Sequence, residues 1–252
     1  MKRIETYGEL GALTSAELHA GVLTNAFTDP ETYRREISDG RLYTEKTENG
    51  LLIFHDRDSH FRLNFYLHSA QVPDIETDRP VVTEIAYRQI DKRVAELVPL
   101  FTKSGFELKF SRVRLCRPSA DSGKNGIARL AEICDKEKIS ALLSECFDQL
   151  TGCLPTDTEL TEIIKNGWML VTDDGTGVLH MADGKTTEIR HLAVSPSHRR
   201  QGTAGCLIES FLSKTENKKS RVWVTSGNTA AEKTYAKKGY LPDGWTSSVL
   251  IK

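Results

Sequence analysis

The chain has 252 residues, 38% of them hydrophobic, and a formal net charge of −1 at pH 7. Residues 1–118 hold 17 Lys/Arg and 18 Asp/Glu, and residues 119–252 hold 17 and 17, so neither half has the basic excess of a nucleic-acid-binding domain. No stretch reaches the ~18 apolar residues of a membrane span, and the first residues lack the apolar core of a secretory signal. We therefore expect a cytoplasmic protein that binds a small molecule or a peptide, with no nucleic acid and no membrane as partner. The oligomeric state stays open.

The cysteine and histidine residues show no spacing that predicts a metal site. The five cysteines lack a CxxC pair, so reduced thiols are the favoured interpretation. His55, Asp56, Asp58 and His60 lie close together, but without a recognised ligand spacing. We interpret them as a polar hairpin loop, with a metal site as the weaker alternative, and expect no metal cofactor.

The first half of the chain predicts two helices, a hairpin, two further strands and a third helix. Thr14 or Ser15 would open the first helix, and Pro30 suits the first turn of the second. Asn49-Gly50 is a strong signal for a tight hairpin turn. The predicted elements are helices at 15–27 and 30–38, a hairpin of 41–47 with 51–56, strands at 61–69 and 81–88, and a helix at 89–104.

The second half repeats this order with one helix added. Asp135 suits an N-cap for its first helix and Asn228 for its last, whose final turn carries Lys237 and Lys238 before Gly239. An Asp-Gly turn marks its hairpin. The predicted elements are a strand at 127–134, helices from 136 and at 157–165, a hairpin of 168–174 with 177–183, a strand at 185–194, a helix from 204, a strand at 221–226, a helix after Asn228 and a last strand at 247–252.

The matching order predicts an internal duplication. The expected fold class is α/β, with two tandem lobes that each have a mixed, mostly antiparallel sheet flanked by helices. The polar segment 117–126 is the best linker, so we expect domains at 1–118 and 119–252. Where the second copy has an Arg-Gly loop, the first has residues 70–80, which contain no glycine. Because the halves share little residue identity, two unrelated α+β lobes remain the alternative.

The Arg-Gly loop, RRQGTAG at residues 199–205, lies between a predicted strand and a predicted helix. A helix N-terminus presents unpaired N–H groups and the positive end of the helix dipole, which together attract anions. Small residues let the backbone approach a phosphate, and Arg199 and Arg200 can bond phosphate oxygens. The strings of a P-loop or a dinucleotide fingerprint are absent from the sequence. The loop therefore predicts a phosphate or pyrophosphate site.

The spacing of Arg199, Gly202 and Ala204 resembles Q/R-x-x-G-x-G/A, the loop with which the GNAT superfamily of N-acetyltransferases binds the pyrophosphate of acetyl-CoA. The preceding Leu-Ala-Val of residues 192–194 is similar to the family's strand that receives the pantetheine arm. The resemblance covers residues ~125–252 well, and the first half by element order alone. A second family signature, N-x-x-A-x-x-x-Y-x-x-x-G-F, is matched with tyrosine in the last place by Asn228, Ala231, Tyr235, Gly239 and Tyr240.

The resemblance implies an N-acetyltransferase that moves an acetyl or other acyl group from acetyl-CoA, its co-substrate, to an amine by direct attack in a ternary complex. It implies an acetyl-CoA-binding domain at 119–252 and, at 1–118, a degenerate copy that lacks the pyrophosphate loop. The implied cofactor-binding residues are Leu192, Ala193, Val194, Arg199, Arg200, Gln201, Gly202, Thr203, Ala204, Gly205 and Asn228.

Glu188 is the candidate catalytic base. Acyl transfer requires an amine without its extra proton, and family members that use a carboxylate carry it on this strand at this offset from Leu192. Strand alternation would put Glu188, Arg190, Leu192 and Val194 on one face. A solvent-facing glutamate paired with Arg190 is an equal alternative, and many family members work through ordered water instead.

Tyr235 is the candidate catalytic acid, because the family's tyrosine at this place protonates the departing thiolate. The alternative is a core aromatic residue whose hydroxyl is bonded to a neighbour. Capping of its own helix would by itself explain Asn228. The donor to the thioester carbonyl would be the backbone N–H of Val194 or a neighbour.

Two other functions stay open at this stage. One is a catalytically inactive module that binds an acyl-CoA as a regulatory ligand. The other is an interaction module whose Arg-Gly loop captures a phosphopeptide or free phosphate. The sequence gives no pattern that identifies the acceptor.

Overall fold

The computed structural model describes residues 1–88, 92–119, 128–215 and 218–252. The chain forms two compact units, of which the first is Met1–Ser111 with Trp245–Lys252 and the second is Arg112–Gly244. These limits differ from the predicted 1–118 and 119–252, because one strand near residue 111 continues into the second unit and the last strand returns to the first. Residues 120–126 of the predicted linker lie outside the described residues. None of the helices in the described ranges has the length and apolar character that a membrane crossing requires.

The sheet of the first unit is antiparallel except at one strand pair. Strands β1, β3, β4 and β5 are antiparallel neighbours, β5 is parallel to β6, and β6 is antiparallel to Trp245–Ile251. The elements are β1 (Lys2–Arg3), α1 (Tyr7–Glu17), β2 (Leu23–Thr24), α2 (Pro30–Ser38), β3 (Leu42–Thr47), β4 (Gly50–Asp56), β5 (Phe61–Leu67), β6 (Val81–Arg88), α3 (Lys92–Ala95), α4 (Leu97–Lys103) and the start of β7 (Glu107–Arg117).

The predicted first helix at 15–27 is wrong. Helix α1 begins at Tyr7, where the side chain of Thr6 accepts a hydrogen bond from the backbone N–H of Glu9 at 3.1 Å. The chain then turns at Gly21, whose φ of 93° lies in the left-handed region. Two glycines inside α1 weaken its helical signal in the sequence. The predicted long helix at 89–104 is wrong in extent, because the structure has two short helices, α3 and α4; residues 89–91 lie outside the described ranges.

The other predictions for the first half are confirmed. Helix α2 begins at Pro30 with Asp29 as its N-cap, and the hairpin of β3 with β4 closes at the Thr47–Gly50 pair. Alternate residues of β4 face opposite apolar layers, as expected for a covered strand. Leu51 lies in the cluster with α1 and α2, and Leu52 lies in the cluster with α4.

The second unit has the same strand arrangement. Strands β8, β9, β10 and β11 are antiparallel neighbours, β11 is parallel to β12, and β12 is antiparallel to Arg112–Arg117 of β7. Its further elements are β8 (Arg129–Leu130), a 3-10 turn (Ile133–Asp135), α5 (Lys136–Cys146), α6 (Asp157–Lys165), β9 (Met169–Val171), β10 (Gly177–Ala182), β11 (Thr186–Val194), a 3-10 turn (Pro196–His198), α7 (Thr203–Lys214), β12 (Lys219–Thr225), α8 (Thr229–Ala236) and β13 (Leu241–Ile251).

Most predicted elements of the second half are confirmed, and helix α6 has the predicted bounds. The predicted strand at 127–134 is wrong in extent: of its described residues only Arg129–Leu130 pair, with β9. Two apolar clusters enclose the sheet. Leu179 and Ile189 lie in the cluster with α7 and α8, on what we call the α7 face. Val178 and Ala193 lie in the cluster with α5 and α6, on the α5 face.

In the first unit, an asparagine side chain fills the gap where the parallel strands part. The pairing of β5 with β6 ends at Leu63–Thr83, although both strands continue. The amide nitrogen of Asn25 donates to the carbonyl oxygens of Leu63 and Glu84, both at 3.1 Å, and to Thr83 Oγ1 at 3.0 Å. Its Oδ1 accepts from the backbone N–H of Phe65 at 2.8 Å. This one side chain therefore satisfies backbone groups of both strands.

We predict that Asn25→Ala lowers the free energy of unfolding by about 2–3 kcal/mol, because each buried polar group left without a partner costs about 1–3 kcal/mol. Urea denaturation followed by circular dichroism measures the change. Asn166→Ala is the control, since Asn166 is exposed at the C-terminus of α6 and a surface change of this kind stays within about 0.5 kcal/mol. Equal stabilities for the two variants would show that Asn25 does not hold the strands.

Candidate functional site

The parallel strands of the second unit also part, and the site lies where they do so. The pairing of β11 with β12 ends at Ile189–Val222. Strand β11 nevertheless continues to Val194 and β12 continues to Thr225. A gap therefore opens between the two strands along the last residues of β11, from Arg190 to Val194.

The backbone amides of Leu192 and Val194 point into this gap. On the side away from β11, the N–H of Gly177 donates to Thr172 Oγ1 at 3.0 Å. Its C=O accepts from the backbone N–H of Thr172, also at 3.0 Å. Because Val194 lies opposite Gly177, the two form the non-hydrogen-bonded type of antiparallel pair. The N–H and C=O of Val194 thus point away from β10, and those of Leu192, two residues earlier, point the same way. The geometry fits the expected role of Val194 as a donor to a carbonyl oxygen.

The loop at 199–205 leads from this gap to helix α7. Its backbone enters the left-handed region at Arg200 (φ 63°) and at Gly202 (φ 90°). Gly202 is the N-cap of α7 and has no side chain to bond the first amides of the helix. A Cβ placed on Gly202 would meet no atom within 4 Å, so the surface there is open. The amides left for another partner are those of Thr203, Ala204 and Gly205.

The two arginines of the loop have different surroundings. Arg199 Nε donates to the carbonyl oxygen of Val194 at 3.1 Å, and its guanidinium lies 3.7 Å from Cys146 Sγ. Arg200 is exposed. The side chain of Gln201 donates to the carbonyl oxygen of Ser197, in the preceding 3-10 turn, at 3.3 Å. Arg200 therefore has the freer charge for an anion, while Arg199 ties the loop to the end of β11.

Sequence reasoning missed Gly177, which lies directly against side chains of the first turns of α7. A Cβ on Gly177 would lie 2.8 Å from Thr203 Cγ2 and 3.0 Å from Leu207 Cδ1. A larger residue there would require the side chains of Thr203 and Leu207 to move. Its place at the start of a predicted strand, after an Asp-Gly turn, gave no sign of this contact.

Glu188 does not share a face with the gap residues, so that prediction is wrong. Arg190 forms a β-bulge in the pairing of β11 with β10, and the bulge reverses the alternation. Leu192 and Val194 pack in the cluster of the α7 face together with Ile189. Glu188, next to Ile189, therefore lies on the α5 face.

The Glu188 carboxylate is buried, with 6% of the residue exposed, and it bonds two guanidinium groups. Arg221 Nε lies 2.6 Å from one carboxylate oxygen, and Arg190 Nε lies 3.4 Å from the other. The sequence analysis gave a solvent-facing glutamate paired with Arg190 as the alternative. The pair with Arg190 is present, but the carboxylate does not face solvent. Both oxygens are already engaged.

Helix α8 carries two predicted residues. Tyr235 is 4% exposed and packs edge-on against Tyr240 with ring centroids 5.4 Å apart. Burial raises the pKa of Tyr235 far above its usual value, so its hydroxyl keeps its proton. Asn228 caps the helix by accepting from the backbone N–H of Ala231 at 3.1 Å. Tyr235 lies in the same cluster as Leu192 and Val194.

A pair of histidines in edge-to-edge contact lies on the α5 face. The rings of His180 and His191 are 5.3 Å apart and 13° from parallel, with their Nδ1 atoms 3.0 Å apart. His191 Nε2 lies 2.8 Å from the carbonyl oxygen of Gly152, and Phe147 packs edge-on against the same ring. Burial lowers the pKa of His191 and lowers that of His180 to about 3.

The acidic and histidine residues of the described ranges form no group of three or more arranged to hold a metal ion. In the sequence cluster near residue 58, Asp56 bonds Arg79 and Asp58 bonds Arg41, both at 2.8–2.9 Å. Ion pairs therefore account for these carboxylates.

Comparison with known proteins agrees with this geometry. Residues 148–247 match the model of the acetyltransferase (GNAT) domain family. No curated protein matches the sequence.

Several solved structures share the fold. A GCN5-related N-acetyltransferase from Sphaerobacter thermophilus has a TM-score of 0.58 at 12% identity, over 96% of this chain and 90% of its own. An acetyltransferase from the GNAT family from Colwellia psychrerythraea has a TM-score of 0.57 at 14% identity, over 99% and 98%. The glucosamine N-acetyltransferase region of a fungal multi-domain β-N-acetylglucosaminidase has a TM-score of 0.57 at 12% identity, over 81% of this chain and 31% of its own. At these identities the likeness is one of fold.

We predict that the histidine pair makes the protein less stable in acid. A histidine in the unfolded chain has a pKa of about 6.5, whereas that of His180 is about 3 in the folded chain. Above pH 6.5 His180 is neutral in both the folded and the unfolded chain, and the free energy of unfolding has its full value. As the pH falls from 6.5 towards 3, the free energy of unfolding decreases by about 1.4 kcal/mol per pH unit for this one group. Urea denaturation between about pH 7 and pH 4.5 measures this slope.

The matched comparison is His180→Leu, which cannot be protonated, against His19→Leu, which removes an exposed histidine. His180→Leu should show a shallower fall in stability on acidification than the wild type. His19→Leu should follow the wild type. The same slope in all three proteins would contradict the burial argument.

Proposed function

We propose that this chain, whose residues 148–247 form an acetyltransferase (GNAT) domain, is an N-acetyltransferase. It moves an acetyl or longer acyl group from acyl-CoA to an amine of a small molecule or a peptide. The observation that carries the proposal is the strand gap of the second unit, into which Leu192 and Val194 turn their backbone amides. An extended pantetheine arm, which carries amide groups of its own, can pair with these as a strand would.

The cofactor-binding residues proposed are those of the sequence analysis. Leu192, Ala193 and Val194 would line the arm, and the amides at 203–205, with the charge of Arg200, would bind the pyrophosphate. Arg199, Gln201 and Gly202 would shape the loop. Asn228 would contribute as the cap of α8, at the edge of the cofactor path.

The first unit offers an internal parallel for this binding mode. There, Asn25 Oδ1 accepts from the N–H of Phe65, two residues beyond the last parallel pair. Leu192 has the corresponding place in the second unit. It lies three residues after Ile189, the last residue paired with β12, and one of these three is Arg190, the extra residue of the bulge. A thioester carbonyl oxygen at Leu192 or Val194 would thus repeat a contact that the chain makes with its own amide. Since Asn25 fills its gap, we propose that the first unit is a degenerate copy that binds no acyl-CoA.

The proposed chemistry is direct attack in a ternary complex. The amine nitrogen bonds the carbonyl carbon, the developing charge on oxygen is held by the N–H of Val194 or Leu192, and the carbon–sulfur bond breaks. Tyr235 would protonate the departing thiolate. Glu188 stays a candidate base, although its bonds to Arg221 and Arg190 favour ordered water or another group as the proton acceptor.

We predict that Gly202→Glu abolishes binding of coenzyme A, because it puts side-chain bulk and a negative charge at the proposed anion site. Isothermal titration calorimetry measures the affinity and the stoichiometry, which should be about one per chain for the wild type if each chain has a single site. Gly21→Glu is the control, since Gly21 has nearly the same φ, 93°, with no atom near an added Cβ, and it lies in the first unit. Unchanged affinity in Gly202→Glu would remove the loop from the proposal.

We predict that Tyr235→Phe lowers kcat by about 10²-fold or more, because the hydroxyl is the proposed acid. Free thiol release in a steady-state assay measures the rate, and the affinity for coenzyme A should stay near that of the wild type. Tyr240→Phe is the control, since Tyr240 is also buried in this cluster and its hydroxyl accepts from Ser220 at 2.8 Å. A rate near wild type for Tyr235→Phe would assign Tyr235 to the core alone.

The activity itself is tested by an acceptor screen. Purified protein and acetyl-CoA are mixed with amines, amino acids, aminoglycosides, peptides and glucosamine, and thiol release is followed. Transfer to one class supports the proposal. Coenzyme A binding without transfer to any amine would favour the alternative of an inactive acyl-CoA-binding module.

A further inference from the structure

The direction of the pantetheine arm determines which residues lie next to the acyl group. In the proposed function, the pyrophosphate binds at the N-terminus of α7 and the arm pairs with Val194 and Leu192. The arm therefore runs from the loop after β11 back towards Ile189 and Val222, where the pairing of β11 with β12 ends. The thioester lies near this closed end of the gap, and the acceptor amine has to reach it there.

Two arginine side chains lie at the closed end of the gap, on the α5 face. Arg221 precedes Val222 in β12 and is in register with Glu188 of β11, whereas Arg190 directly follows Ile189. Both arginines contact the Glu188 carboxylate through Nε, which leaves the N–H groups of their terminal nitrogens for a ligand. The side chains of Arg221 and Arg190 are 38% and 51% exposed, so a solute can reach these donors.

The two arginines and the glutamate they share carry one positive charge in excess. Glu188 is buried and offsets one of the two guanidinium charges. Two further charge pairs on adjoining strands add nothing to this excess, since Lys218 binds Asp183 at 2.7 Å and Arg114 binds Asp243 at 2.8 Å. One carboxylate would neutralise the excess, whereas a phosphate group, with a charge between about −1.5 and −2, would exceed it.

The α5 face of β12 also offers an aromatic surface along the gap. Val222 and Val224 pack on the α7 face, so Arg221, Trp223 and Thr225 alternate with them on the α5 face. Trp223 is half-buried and Thr225 is exposed. An indole ring that is open on this side can pack against the carbon skeleton of a small molecule.

We propose that the acceptor is an amino acid, whose carboxylate binds Arg190 and Arg221 while its carbon skeleton packs against Trp223. This inference rests on the proposed N-acetyltransferase function and names its substrate class. The remaining N–H groups of the two arginines form charge-assisted hydrogen bonds to the carboxylate, which hold the amine beside the thioester. Transfer replaces the carbon–sulfur bond by a carbon–nitrogen bond, the amine proton goes to solvent, the thiolate gains a proton, and the products are an N-acyl amino acid and coenzyme A.

The experiment compares pairs of acceptors that differ only in the carboxylate. Each pair is an amino acid and its carboxamide, with α-, β- and γ-amino acids to vary the span between amine and carboxylate, and thiol release gives kcat/KM at saturating acetyl-CoA. We expect the amino acid to be favoured about 10-fold or more in at least one pair. A carboxylate raises the pKa of a nearby amine, so amine basicity acts against this preference and cannot produce it.

Arg190→Gln tests the proposed contact. It should lower kcat/KM for the favoured amino acid about 10-fold, with little change for the carboxamide and none in the affinity for coenzyme A. Arg190→Lys keeps the charge without the planar fork and should recover part of the rate. Arg221→Gln should act as Arg190→Gln does, and its thermal unfolding shows whether the fold is kept with Glu188 left one partner.

The matched control is Arg34→Gln in α2. The Arg34 side chain is 50% exposed, close to the 51% of Arg190, and it is likewise paired with a glutamate, Glu31. This variant should keep the kcat/KM of the wild type for both members of each acceptor pair.

The outcomes separate this inference from the proposed function. A wild type that acetylates no amine contradicts both. Transfer to amines without a preference for the amino acid in any pair overturns the substrate class alone, and so does an equal loss for amino acid and carboxamide in Arg190→Gln. O-phosphoethanolamine and ethanolamine form a further pair. A larger preference in that pair than in every amino acid pair would assign the arginines to a phosphate and overturn the carboxylate.

Discussion

Buried backbone amides need partners, and the structure depends on how this requirement is met where parallel strands part. A buried N–H or C=O left alone costs about 1–3 kcal/mol, so strands that stop pairing need something between them. In the first unit Asn25 supplies both a donor and an acceptor to the gap. In the second unit the amides of Leu192 and Val194 point into the same kind of gap, where, in the proposed function, the amide groups of a pantetheine arm would pair with them. The same topology thus occurs twice, and in the first unit a side chain of the chain itself occupies the gap.

Two glycines and one β-bulge determine which groups surround the gap of the second unit. Gly177 leaves room on the sheet for the side chains of Thr203 and Leu207 from the first turns of α7. Gly202 leaves those amides without a side-chain cap. The bulge at Arg190 sends Glu188 to the face of the histidine pair and away from the gap. The α7 face therefore contains Tyr235, while the α5 face contains the arginine-paired Glu188 and the histidine pair.

The sequence predicted the elements of the second half well because their signals are local. The Asp-Gly turn, the Asn228 cap and the period of α7 depend on neighbours within a few residues. The motif at Arg199, Gly202 and Ala204 likewise identified a loop that the structure joins to an uncapped helix. What the sequence could not provide depends on register. A single extra residue in β11 reverses which side chains share a face, so it separated Glu188 from Leu192 and placed His191 opposite His180. Asn25 bonds strands about 40 and 60 residues away in the chain, and no pattern near it records that contact.

The last strand of the chain belongs to the first unit, and this affects the order in which the protein can fold. The first unit includes Trp245–Lys252, which pairs with β6, and this segment is synthesised after the whole of the second unit. While the nascent chain grows, the edge of β6 that this segment covers lacks its natural neighbour, and such an edge readily recruits foreign strands. The amino-terminal lobe is thus the earlier to emerge from the ribosome and the later to be finished.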